Sequence, residues 1–223
     1  MDRWLTRDAG IRACQEFFAL SDAEVDAVCG AEGRWRLLEL WQTVPPTTFY
    51  EDPRTLVRQE WYHAASTSYR HDGFWVALDA AAQLLDYGCG VGAVARMPWI
   101  MRGGAITLVE TSEVCTRYLH HLYDGYANVR ICTPETMPAT LVDAVICTDV
   151  LEHVPDPLVV QQMLWDHLRP GGHALLKFEQ AFPHPGHLAD SIAQIPAWWQ
   201  WLDAQAAEII EMETFVWVRK LES

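Results

Sequence analysis

The sequence predicts an α/β fold: a doubly wound, mainly parallel seven-stranded sheet with a terminal antiparallel hairpin and an N-terminal helical cap. Three observations predict it. Short apolar stretches alternate with helical ones from Leu84 onward. The last two apolar stretches lie only a residue or two apart, around Glu213. The residues before the first strand read as helical throughout.

The candidate strands are Gln83–Tyr87, Ala105–Glu110, Val129–Cys132, Ala144–Thr148, His173–Phe178, Ala207–Met212 and Phe215–Arg219. Strands separated by helices imply parallel pairing with helices on both faces. The short link between the last two permits only an antiparallel hairpin. In the cap, Ser21-Asp22-Ala23-Glu24 has capping-box spacing. Trp35, Leu38 and Trp41 recur at three-residue intervals and are expected on one helical face. Asp52-Pro53 makes a good helix start, and that helix should run to about Tyr69, before Asp72-Gly73 breaks it. Residues 1–75 are therefore read as a cap or lid, and 76–223 as the main domain.

Half of the 223 residues are hydrophobic, enough for a substantial core without staples. No apolar run reaches the ~18 residues of a membrane span. MDRWLTRDAG lacks the pattern of a secretion signal. The six cysteines (Cys14, Cys29, Cys89, Cys115, Cys132 and Cys147) form no CxxC pair and are expected as free thiols in a reducing cytoplasm. A net charge of −14 disfavours nucleic acid as a partner, because phosphates need a cationic surface.

Asp86-Tyr87-Gly88-Cys89-Gly90-Val91-Gly92 follows the first strand and precedes a helix beginning near Ala93. Glycines there allow a sharp turn and a close approach by a ligand. Gly88, Gly90 and Ala93 also satisfy the dinucleotide fingerprint, so the glycines alone leave the ligand open. An acid at Asp86 disfavours a pyrophosphate and suits a cationic ligand. Glu110, ending the next strand, can accept from both hydroxyls of a ribose, in NAD enzymes as in others.

LLDYGCGVG, then LVE, then VDAVICTDVLEHVPDP, then LRPGG before HALLKF resemble the ordered motifs of class I S-adenosylmethionine-dependent methyltransferases, the small-molecule branch especially. The resemblance covers Leu84 to the C-terminus. It implies a Rossmann-like domain, S-adenosylmethionine as cofactor and methyl transfer to an O, N or C nucleophile of a small molecule. It further implies that Asp86, Gly88, Gly90 and Gly92 surround the methionine part, Glu110 the ribose, and Thr111 the adenine. The acid that the family commonly carries after the third strand is replaced here by Thr133, leaving Glu135 or a backbone carbonyl to hold the adenine. Thr148 and Asp149 would pass near the reacting methyl.

His153, in LEH, is a candidate base or simply a packed histidine; His187 lies in the loop after the fifth strand, with the same two readings. HxxH in a loop is not a metal site by itself, and none is expected. Most of the eleven tryptophans are expected in the core. Tyr69 and Arg70 are placed to reach the cofactor's carboxylate from the cap, and the pocket is expected between the cap and Pro183–Trp201. Exposed tryptophans on the first helices would favour a homodimer. Methylation of a protein or carrier-bound substrate and a non-catalytic S-adenosylmethionine-binding regulator are the alternatives. An NAD oxidoreductase gives LEHVPDP and LRPGG no role.

Overall fold

Local chemistry starts the helices of the cap as the sequence predicts. The computed structural model describes residues 7–30, 32–42, 46–65, 72–96, 98–177, 187–205, 207–212 and 215–222. Helix α1 (Arg7–Phe18) is followed by α2 (Asp22–Val28), where the capping box forms. The Glu24 N–H donates to Ser21 Oγ at 3.3 Å and the Ser21 N–H to Glu24 Oε2 at 2.8 Å, satisfying two donors that a helix start leaves unpaired. Helix α3 spans Gly33–Trp41. Of its expected stripe, Leu38 is buried beside Leu37, Trp35 is 55% exposed, and the Trp41 side chain lies outside the described ones. Trp35 precedes Leu37 by two positions, more than half a turn, so a helix resting on Leu37 turns Trp35 outward.

Asp52 Oδ1 accepts from the Arg54 N–H at 2.9 Å and starts α4 (Pro53–Ala65). The continuation expected to Tyr69 lies outside the described residues, as do Arg70 and residues 178–186. Asp72-Gly73 stands at the start of a separate helix, α5 (Asp72–Ala77), with the acid in its first turn, where the helix dipole favours it.

The seven strands are β1 (Gln83–Tyr87), β2 (Ala105–Val109), β3 (Val129–Cys132), β4 (Val142–Thr148), β5 (Leu168–Lys177), β6 (Ala207–Met212) and β7 (Val216–Lys220). Their order is β3-β2-β1-β4-β5-β7-β6, parallel through β5 and antiparallel for β7 and β6. Every residue of β4 is buried, as expected of a central strand covered on both faces. Strand β5 begins earlier than expected. The Arg169–Gly172 turn lies within it as a bulge, because pairing jumps from Val142↔Leu168 to Ala144↔His173.

Helices α6 (Ala93–Arg96), α7 (Glu113–Leu122), α8 (Pro157–His167), α9 (Ala189–Ala193) and α10 (Ile195–Asp203) complete the described fold. Leu151–His153 forms only a 3-10 turn. Pro155 and Pro157 push Val154 and Asp156 away from helical geometry, which delays α8. Leu84 and Ile146 face a core shared with α1, α4 and α7, whereas Leu85 and Cys147 face a second core with α8 and α10. The sheet is thus wound on both faces. From β1 the chain proceeds to β2 on one side, and β4 lies on the other. This reversal opens a crevice beyond the C-terminal strand ends, where doubly wound folds bind ligands. All six cysteines are free thiols. No described helix is long and apolar enough to cross a membrane.

Candidate active site

The crevice is a cavity of about 610 Å³, a size suited to small ligands. Its walls bring together Asp86, Gly88, Gly90, Glu110, Thr111, Thr148, Asp149, His153 and His187 of the residues singled out from sequence. Gly92 closes the glycine turn behind them. Its N–H donates to the Cys89 carbonyl at 2.8 Å, and its own carbonyl accepts from Tyr123 OH at 3.3 Å. Glu135 is exposed and is not among the lining residues; its neighbour Pro134 is. Tyr69 and Arg70 lie outside the described residues.

The glycine loop is folded by constraints that a side chain would violate. Gly88 and Gly90 have φ of +67° and +53°, a region that L side chains rarely adopt. A Cβ on Gly88 would collide with the Val150 side chain, and one on Gly90 would lie 2.5 Å from Gln59 Oε1. The Gly88 and Cys89 N–H groups both donate to the Val109 carbonyl, at 2.9 and 3.1 Å, and pin the loop to the end of β2.

Asp86, on β1, is buried, and its Oδ2 has no hydrogen-bond partner among the described residues. Burial, with Glu110 nearby, pushes its carboxyl up to about 7. Glu110 straddles the loop. Its Oε2 accepts from the Gly90 N–H at 2.9 Å, and its Oε1 accepts from Thr111 N–H at 2.7 Å and Ser112 N–H at 3.0 Å. Thr111 Oγ1 also donates to Oε1, at 3.4 Å, so three donors crowd that oxygen and the acceptor capacity left for a ligand hydroxyl is on Oε2.

A buried ion pair carries the cap onto this loop. Arg96 of α6 grips Glu60 of α4 with two hydrogen bonds, at 2.8 and 2.7 Å, and also donates to the Val91 carbonyl at 2.8 Å. Tyr118 OH donates to Glu60 Oε1 at 3.1 Å, and Arg96 Nε to Tyr123 OH at 3.2 Å. Sequence reasoning missed this network, since a glutamate on one amphipathic helix and an arginine on another carry no motif. It also missed Gln59 and His63, which the same helix delivers to the cavity. Burial pushes the His63 imidazole down to about 4, so the ring is neutral near pH 7.

At the other side of the cavity, Asp149 has a left-handed φ of +56°. Its N–H donates to the Lys177 carbonyl at 2.7 Å, and the Lys177 ammonium donates to its Oδ2 at 2.8 Å. Nearby, the His153 and His187 ring centroids are 4.8 Å apart. Tyr50 OH lies 3.2 Å from His153 Nε2 and 3.4 Å from Nδ1. Tyr50 is held in turn by Ser112 Oγ, which donates to its carbonyl at 3.0 Å. Glu152, His153 and His187 each place one potential ligand atom within 4.8 Å of the others. Trp198, Trp199 and Trp201 are not among the lining residues; Trp198, on α10, is buried in the second core with Leu164 and Trp165 of α8.

An α/β crevice with a glycine turn, an unsatisfied buried acid and a carboxylate at the second strand end places the chain in the class of doubly wound proteins with a ligand crevice at their strand ends. Comparison with known proteins narrows the class. A family model described as a methyltransferase domain matches residues 59–217. The chain belongs to this family, and so to the class I S-adenosylmethionine-dependent methyltransferases, whose cofactor is S-adenosylmethionine. Among curated proteins it is similar to a ubiquinone biosynthesis O-methyltransferase of Azotobacter vinelandii, with 34% identity over 42% of each chain. The chain thus spans under half the length of the curated relatives it matches. Among solved structures, the 1,6-didemethyltoxoflavin-N1-methyltransferase of Burkholderia thailandensis, bound to S-adenosylhomocysteine, shares the fold with a TM-score of 0.53 and 17% identity. That match covers 71% of this chain and 80% of the other. The [4+2]-cyclase SpnF has the same TM-score and identity, covering 73% and 83%. The fold therefore hosts a different reaction as well, and only the site can argue the chemistry.

Proposed function

We propose that this chain transfers a methyl group from S-adenosylmethionine to a hydroxyl of a small molecule, with His153 as the base. The observation that carries the reading is the pair of imidazoles, His153 and His187, sharing a cavity with Asp86 and Glu110. The name of the curated relatives, an O-methyltransferase, supports oxygen as the nucleophile.

The residues fit the cofactor. Asp86 Oδ2 is a buried acceptor in need of a donor, and the Gly88–Gly90 turn is a cradle that a Cβ would fill. Asp86 would face the methionine part, Glu110 the ribose, and Thr111 and Pro134 the adenine. Thr148 and Asp149 would line the wall beside the reacting methyl. When bound, S-adenosylmethionine supplies an electrophilic methyl on a sulfonium that leaves as a neutral thioether. The leaving group needs no proton, so the protein's main task is alignment. A hydroxyl nucleophile does need to lose one, and His153, facing the cavity, would accept it. Tyr50 restrains the His153 ring, and the cap helices α1 to α4 exclude water. His187 then lies where it can orient the acceptor.

Incubation with S-adenosylmethionine and a panel of phenols and catechols, read by mass spectrometry, tests the reaction. The expected result is an O-methyl product, a loss of ~100-fold in kcat for His153→Ala, and turnover unchanged by a chelator. Full activity of the variant removes His153 as base; absence of any O-methyl product sinks the hydroxyl reading.

A further inference from the structure

Gln59 occupies an unusual position for a residue of the cap. It lies on α4 directly before Glu60, and its Oε1 would be 2.5 Å from a Cβ on Gly90. That oxygen is buried and has no hydrogen-bond partner among the described residues. Asp86 Oδ2, on the strand that feeds the same loop, is in the same condition, and both residues line the cavity. A buried acceptor left unsatisfied destabilises the fold, and a network of them is costly unless a ligand completes it. The two oxygens call for one kind of partner, a group with several N–H donors and a positive charge.

Gln59 is not free to swing away with a mobile lid. The adjacent Glu60 is locked to Arg96, and Arg96 also holds the Val91 carbonyl. One guanidinium therefore fixes both α4 and the glycine loop, and with them the approach of Gln59 to Gly90.

We propose that Gln59 and Asp86 together receive the α-ammonium of the cofactor's amino-acid part, so that a cap residue selects ligands carrying that group. The proposal rests on the cofactor reading above. It makes α4 part of the cofactor site itself rather than only a cover over it.

Titration calorimetry of the full chain with two ligands tests it. S-adenosylhomocysteine carries the ammonium; 5′-methylthioadenosine lacks the whole amino-acid part. Gln59→Leu is expected to weaken S-adenosylhomocysteine by ~10-fold, the loss of one hydrogen bond to a charged group, and to leave methylthioadenosine within about 2-fold. Gln59→Glu, which keeps an acceptor and adds charge, is expected to bind S-adenosylhomocysteine at least as tightly as the unaltered chain. The proposal is overturned if Gln59→Leu leaves S-adenosylhomocysteine binding intact, or if it weakens both ligands equally, as a purely structural role would. Failure of the unaltered chain to bind S-adenosylhomocysteine would overturn the cofactor reading itself.

Discussion

At the Asp86 end of the cavity the wall is braced from two directions and carries buried acceptors. Arg96 ties the cap to the glycine loop, Tyr123 backs Gly92, and two acceptor oxygens await a donor. At the Thr111 end the wall is thin. Thr111 and Glu135 are exposed, the Thr133 hydroxyl is engaged with Thr136 at 3.3 Å, and Pro134 supplies the lining. One end offers charge in a dry setting, where electrostatic contacts are strong; the other offers apolar contact and solvent. On the proposed reading, the cofactor is gripped by its amino-acid end and merely seated at its base.

The largest effect should come from unbracing the buried end. Arg96→Met leaves Glu60 buried without its partner, which should cost about 3–5 kcal/mol in urea unfolding. A loss below 1 kcal/mol would mean that the brace does not hold the cap in solution. Asp86 gives the next effect, through pH. Its folded carboxyl, raised from 3.8 to about 7, binds a proton that the unfolded chain has released. The empty protein should therefore be most stable below pH 3.8 as far as this group is concerned, losing that advantage as pH rises to about 7. A cationic ligand reverses the preference, since it favours the ionised acid. S-adenosylhomocysteine affinity should rise up to ~10-fold between pH 6 and pH 8, and Asp86→Asn should flatten the profile. A flat profile in the unaltered chain would contradict the assignment. The smallest effects should lie at the other end: Glu135→Ala is expected to change affinity by less than about 2-fold, against ~10-fold for Glu110→Gln at the boundary between the two. Equal losses would erase the contrast.

Legibility followed the same division. Strands β1, β2 and β4 were readable because inner parallel strands are nearly continuous apolar runs; Asp86 was readable because it stands beside the glycines, and Glu110 because it ends the next strand. The Ser21 box and the Asp52-Pro53 start were readable because capping is local. What escaped depends on docking between distant segments. Trp35 faces outward because Leu37 sets the rotation of α3. Gln59, Glu60 and His63 reach the site only because Arg96, far along the chain, holds α4 in place. Tyr50 meets His153 because Ser112 anchors its carbonyl. None of these pairings leaves a periodicity or a spacing to detect.

The reversed strand β7 has a kinetic meaning as well as a topological one. It lies between β5 and β6, and among the described residues β6 pairs with no other strand. During synthesis β6 emerges first and must wait, with its exposed Ile209 and Ile210, until β7 has followed it and aligned on β5. Completion of the sheet thus waits for β7, and the edge of β5 stays open until then. Such late, long-range closure slows folding and lengthens the interval in which an unpaired edge can meet another chain.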